Sequence, residues 1–395
     1  MTSYRIRWSC FLLVLCLGAA PAQGGEKKQE DQQADEFVPT LGQFPPRDKP
    51  GQYFGGELVL VDPINRRGAL RSDGDFIDDR YHASPPHRFN LLPYGMVWCH
   101  GAPAELRDVA IGTHLHGYFY LPPEGDWSLP VPEPPGQYGK KYIPPYNHAW
   151  VLEDDFSFYQ RRGQAWKIQS VDLEEGQLNV VSTGKEAADG LTGEQAFEID
   201  RATRIWQGRD SVRLENLAPE QVVQVNLTWA PEWRNRVFHC SDVWIDEPSR
   251  EIAAERQRQI HIRHQHHYWL PGWIEHVEHQ PNGRGIVTVT LFGGMDPSLY
   301  EEVRQKHESV FPIAVAWPSL RTRWQDNDYR FSNLVDLKEI DNPPPGSSGL
   351  QLRLQIDGLL EGFRKNRIVR LRCGDWPHAK LPPEVRMRGN EAVNY

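Results

Sequence analysis

Leu58-Val59-Leu60-Val61-Asp62, Ile168-Gln169-Ser170-Val171-Asp172 and Ile274-Glu275-His276-Val277-Glu278 are one pattern written three times along a chain of 395 residues. Each stretch has a partner downstream. Leu106-Arg107-Asp108-Val109 leads to Leu115, Gly117 and Phe119; Leu214-Glu215-Asn216-Leu217 leads to Val223, Val225 and Leu227; Leu360-Glu361-Gly362-Phe363 leads to Val369, Leu371 and Cys373. The three closing stretches align without a gap. Internal repetition sets architecture ahead of any local motif, so three related units are predicted.

Within the units the apolar residues alternate. Phe197 to Ile199, Thr203 to Trp206 and Val223 to Leu227 read as strands, and the first unit matches at Phe89 to Leu91, Val97 to Trp98 and Leu115 to Phe119. Short period-2 runs broken by Gly, Pro, Asn and Asp are the mark of small sandwiches or barrels. The expected fold class is therefore mainly β, with tandem small β-barrels joined by short helices. One helix is predicted over 154–162. A second is marked by Asp246 or Ser249 as cap, Pro248 in the first turn, helix formers from Glu251 to Gln259, and Pro271-Gly272 as stop.

These elements divide the chain into a signal segment (1–22), a polar tether (23–54), a first unit (55–121) and a proline-rich strap (122–150). A helix with the second unit (151–232), a linker with a His-rich helix (233–272), a third unit (273–380) and a tail (381–395) follow. The third unit carries an insertion at about 318–349, in which Pro343 to Gly349 reads as a loop. Arg5 and Arg7 precede an apolar run from Cys10 to Ala20, then Ala20-Pro21-Ala22, the layout of a secretory signal. That run is shorter than the about 20 residues a membrane span needs. The expected location is exported, periplasmic or extracellular. The net charge is -9, and losing the two arginines with the signal makes it more negative, which disfavours nucleic acid as a partner. Cys99, Cys240 and Cys373 would remain after the signal, too few for a disulfide scaffold. Cys373 holds the place of Phe119 and Leu227, so it reads as a small buried apolar residue; a Cys99–Cys240 bridge stays open.

The second unit, read as Phe197-x-Ile199-x-x-x-Thr203-x-Ile205-x-x-Gly208, then Leu217, then Val223-x-Val225-x-Leu227, resembles a widespread exported bacterial domain built as a small OB-like β-barrel. In that family an Asp-Leu-x-x-Gly hairpin closes the barrel. Asp108-Val109-x-x-Gly112-x-x-Leu115 is the better match to it, while Glu220 and Asn366 replace the turn glycine in the other units. The whole chain is similar to large secreted proteins of planctomycete-type bacteria. The resemblance implies OB-like units and export, and it carries no catalytic residue.

Three constellations could carry chemistry. His114 and His116 lie on one face of a strand and could hold a divalent transition metal, joined by His100, Asp108 or Glu124; the matching residues are Val222 and Gln224, and Ile368 and Arg370. His261, His264 and His267 form a second candidate metal set on the linker helix, with His266, His276 and His279 nearby, although their spacing drifts around the helix and a solvated face explains them as well. The third is the basic set Arg364, Lys365, Arg367, Arg370, Arg372, Lys380, Arg386 and Arg388, with Phe363 and Trp376 nearby, either a single-strand nucleic-acid or saccharide surface of an OB-like unit or an ordinary solvated or docking face. No Gly-x-Ser-x-Gly, phosphate loop, Cys-x-x-Cys or His-Glu-x-x-His occurs. The expected function is thus an exported, non-catalytic binding or scaffold protein with a protein or saccharide partner, the alternative being a metal-binding protein or metal-dependent enzyme. Function is expected where the copies differ: the strap, the His-rich helix and the insertion.

Overall fold

A strand that curves tightly around a small core relieves the curvature with a β-bulge, and three strands of this chain do so at the same place. In β1 (Gln52–Asp62) the pairing shifts between Leu58 and Leu60, in β7 (Gln164–Asp172) between Ile168 and Ser170, and in β14 (Leu270–His279) between Ile274 and His276. The residue before each bulge exchanges two backbone hydrogen bonds with the closing stretch: Leu58 with Gly112 and Thr113, Ile168 with Glu220 and Gln221, Ile274 with Asn366 and Arg367. The strands that follow, β5 (His114–Tyr120), β12 (Val222–Leu227) and β19 (Ile368–Leu371), meet their partners in one register: Gly56 opposite Leu115, Trp166 opposite Val223, Gly272 opposite Val369. The repeat read from the sequence is thus a repeat of backbone hydrogen bonding.

The computed structural model describes residues 51–63, 66–73, 86–122, 146–229, 237–306, 310–315, 329–360 and 362–376. The expected signal segment, the tether up to residue 50, residues 123–145 of the strap and the tail lie outside them. The first unit adds β2 (Arg67–Ser72), β3 (His87–Cys99), β4 (Ala102–Ala104) and β6 (His148–Asp154). β1 pairs with β2 and β5, β6 lies between β5 and β3, and a β2–β3 pairing closes the ring; β3 and β6 run parallel. In the second unit β8 (Gln177–Gly184), β9 (Glu194–Glu198), β10 (Arg204–Gln207), β11 (Asp210–Val212) and β13 (Cys240–Trp244) follow the same order. Here the counterpart of β3 is broken into β9 and β10. Among the described residues a single bridge, Glu198 to His239, links β9 toward β13, so this barrel is half closed.

The third unit departs most from expectation. Besides β14 and β19 it holds β15 (Gly285–Phe292), β16 (Val310–Val315), β17 (Tyr329–Glu339) and β18 (Ser347–Ile356), closed in the order β14-β15-β18-β17-β16-β19. The insertion expected to separate strands supplies one: β17, paired with β16, fills the gap between β18 and β19 that β6 and β13 fill in the other units. The run from Pro343 is a loop only to Gly346, because Ser347 already begins β18.

Mainly β architecture with helices between the units is as the sequence predicts. α1 (Asp155–Arg162) follows β6, capped by Asp154 accepting from the Ser157 amide and ended by left-handed Gly163. α2 (Glu247–Tyr268) follows β13, capped by Asp246. α3 (Pro297–Arg304), capped by Asp296, was not foreseen. Each unit has its own apolar core, centred on Leu58 and Phe119, on Ile168 and Val223, and on Ile274 and Val369. Cys99, Cys240 and Cys373 are free and buried, so the open bridge is not formed, and Cys373 sits in the third core.

The first and third units meet through charge. Buried Arg370 of β19 donates to Glu105 at 3.0 Å and to the carbonyls of Trp269 (3.0 Å) and Pro63 (3.1 Å). Burial raises the Glu105 carboxyl, and the Arg370 and Arg66 guanidiniums overcome that and hold it below its ordinary range. Of the basic set, Arg370 is therefore a docking residue, and buried Arg372 donates to the Trp376 carbonyl at 2.6 Å within its own unit; Lys380, Arg386 and Arg388 lie outside the described residues.

The repeated turn sets a direct test. Gly112, Glu220 and Asn366 are all left-handed, with φ of 95°, 73° and 63°, a conformation that costs a residue with a Cβ about 1 kcal/mol. Gly112→Ala should lower the unfolding free energy in urea by about 1 kcal/mol while Glu220→Gly leaves it unchanged or raises it; equal effects of the two changes would contradict a shared turn.

Candidate metal centre between the first two units

Alternation along β5 sends Leu115 and Phe119 into the first core and turns His114 and His116 outward. What they face is the first turn of α1. Asp155 Oδ1 lies 2.9 Å from His114 Nδ1 and 2.8 Å from His116 Nε2. All three residues are buried, and their donor atoms gather within 4.8 Å of one another. Two imidazole nitrogens and a carboxylate oxygen are the donor set that zinc, copper or nickel takes.

Every one of these groups is also held from behind. His114 Nε2 lies 2.6 Å from Asp73 Oδ2, just past β2. His116 Nδ1 lies 2.5 Å from the Tyr53 hydroxyl of β1, and its ring stacks on Phe158 of α1 at 3.9 Å. The second oxygen of Asp155 accepts the Leu227 amide of β12 at 2.8 Å. Outer partners of this kind fix the orientation of metal-binding imidazoles and carboxylates. They also tie three elements to one carboxylate: β5 of the first unit, α1, and β12 of the second.

Electrostatics divides the two histidines. Burial would lower His114, but Asp155 and Asp73 on either side raise it well above the usual imidazole value. At His116 burial prevails over the Asp155 carboxylate, with the neighbouring His114 charge acting in the same direction as burial, and lowers it. Asp155, despite burial, is held below the carboxylate range by the charge on His114 and the hydrogen bonds of both rings. Burial pushes the Tyr53 hydroxyl up, so it stays protonated and donates to His116.

Asp154, one residue earlier, organises the other side of the helix start. It accepts from the amides of Ser157 and His100 (both 2.9 Å) and from Asn226 at 3.1 Å, with Cys99 Sγ 3.6 Å away. Burial raises the Cys99 thiol well above its ordinary value, so this Cys99, His100 and Asp154 group is a poorer donor set than its neighbour.

The partners foreseen for His114 and His116 are not those found. His100 belongs to the Asp154 group, Asp108 faces another helix, and Glu124 lies outside the described residues. Asp155, Asp73 and Tyr53 were missed; the one signal for Asp155 was its place in the first turn of a predicted helix. The second histidine set does not converge on one point. His261 and His264 both meet Asp108 of the first unit, at 3.0 and 2.5 Å, whereas His267 has no hydrogen bond or ion pair among the described residues. His266 instead meets Glu302 at 3.1 Å. The His-rich helix is in this respect a docking element: Arg107 lies 3.4 Å over the ring of Tyr268 beside the same contact.

No helix among the described residues is long and apolar enough to cross a membrane. Comparison with family models, with curated proteins and with solved structures finds no match for this chain.

The docking contact has a pH signature. Burial raises Asp108, but hydrogen bonds from His261 and His264 outweigh it and bring its pKa down to about 2. A carboxylate lower in the folded than in the unfolded chain stabilises above its unfolded value near 3.9, and that contribution is lost as pH falls toward 2. Between about pH 5 and pH 2.5 the wild type should lose about 2 kcal/mol more unfolding free energy than Asp108→Asn. Urea titrations at the two pH values give the comparison, and parallel losses would contradict it.

Proposed function

We propose that this protein is an exported, OB-like β scaffold that binds one divalent transition-metal ion of the zinc class through His114, His116 and Asp155. The observation that carries the reading is the facing of three donors of suitable chemistry, each with its remaining polar atom tied to a separate partner. Three protein donors would leave a four-coordinate ion one further position, and the burial of all three suits a structural ion better than one that must meet substrate. Bound there, the ion would clasp β5 to α1 and, through the Leu227 amide, to the second unit. It would thereby add binding free energy to the joint between two repeat units. The metal-dependent enzyme reading has less support, since none of the three side chains reaches the surface.

The shared strand order of the six- and seven-stranded sheets, each with a parallel pair (β3 with β6, β10 with β13), supports the OB-like reading of the first two units. Arg5, Arg7 and the apolar run that follows support export.

Mass-spectrometric metal analysis of protein prepared without chelators or a histidine tag tests the proposal. One zinc, copper or nickel ion per chain is expected, lost in the His114→Gln/His116→Gln variant, whose side chains keep hydrogen-bonding capacity but not imidazole. At a free metal concentration of about 100 times Kd the wild type should gain about 2.7 kcal/mol of stability and the variant none. Equal metal content in the two proteins, or no retained metal in either, would overturn the reading.

A further inference from the structure

The three units share their inward residues and diverge at one corner, where the turn after the first strand meets the closing stretch. In the third unit this corner forms a cleft of about 750 Å³, within the range of small-molecule sites. Its apolar wall includes Val277, Leu360 and Phe363. Their counterparts are Val61, Leu106 and Val109 in the first unit and Val171, Leu214 and Leu217 in the second, so this wall is the common core seen from outside.

The rest of the lining is not common. Arg364 and Lys365 stand where the first unit has Ala110 and Ile111 and the second has Ala218 and Pro219. His276 replaces Leu60 and Ser170, and His279 replaces Pro63 and Leu173. All four are exposed. Arg284, ahead of β15, brings a third fixed positive charge, with exposed Asp357 at 3.1 Å as its partner. Among the described residues no carboxylate lines the cleft. On a chain of net charge -9, basic side chains thus gather at this corner of the third unit, at positions where the other two units carry none. A concave site with charge of one sign beside an apolar wall concentrates ligands of the opposite sign.

We infer that the third unit's cleft binds a small organic anion, one carboxylate, sulfate or phosphate group on an apolar or aromatic body. The anionic group pairs with Arg364 and Lys365, and the body lies against Phe363 and its neighbours. Arginine and lysine suit such groups, the guanidinium as a fork and the ammonium as a point charge. The site stands apart from His114, His116 and Asp155 and does not depend on the metal reading.

Titration of the full chain with 2-naphthoate, followed by ligand-observed NMR and equilibrium dialysis, tests the inference, with 2-naphthyl phosphate and 2-naphthalenesulfonate identifying the preferred anion. One saturable site is expected. Arg364→Ala/Lys365→Ala should weaken it at least about tenfold, and neutral 2-naphthalenemethanol should bind weaker by a similar factor. Both changes are at exposed positions, and unchanged circular dichroism and urea unfolding midpoint confirm that the variant folds. Absence of saturation with all three anions, or equal affinity in the variant, would overturn the proposal. Displacement of the probe by oligothymidylate at lower concentration than by 2-naphthoate would also overturn it, in favour of a nucleic-acid strand.

Discussion

One carboxylate, Asp155, holds the first two units in register. Its two oxygens reach both histidines of β5 and the backbone of β12 from the first turn of α1. The helix start helps, because the exposed amides there favour negative charge. A buried anion is tolerated only when its lone pairs are met by donors and its charge is answered. Without an ion, the charge favoured on His114 by Asp155 and Asp73 answers it, with the Leu227 amide and the His116 ring as remaining donors; a bound ion would displace the His114 proton and supply that charge itself. Removing any one of these groups leaves another buried and unmet, so the cluster stands or falls together.

The same logic appears at the other junction in different chemistry. The position of His116 in β5 is that of Gln224 in β12 and Arg370 in β19. In two of the units this residue meets an element outside its own barrel: Asp155 for His116 and Glu105 for Arg370, whereas Gln224 stays within its unit and donates to the Gln164 carbonyl of the paired strand β7. At these two junctions the repeat keeps the docking direction and varies the docking group. A strand face in a barrel of this size has one side committed to the core, and the opposite side is where units can be joined.

The repeat was legible in the sequence because its signals are local. Apolar alternation marks the inward face, and a bulge or left-handed turn constrains only neighbouring residues. The partner of His114 was not legible, because Asp155 lies 41 positions away and an acid at a helix start already has a sufficient local explanation. The strand pair β16 and β17 was obscured for another reason. Pro312 interrupts the alternation of β16, and β17 exposes Phe331 and Val335, so its apolar residues do not follow a single face. The internal alignment, which made His114 and His116 look like a local departure from the shared pattern, was correct; the departure is where the donor cluster was built.

The most direct measurement is an anomalous-scattering map at the zinc edge from crystals of the zinc-loaded full chain. The account predicts one peak among His114 Nδ1, His116 Nε2 and Asp155 Oδ1. A peak at Cys99, His100 and Asp154, at the α2 histidines, or at no site on the chain would contradict it.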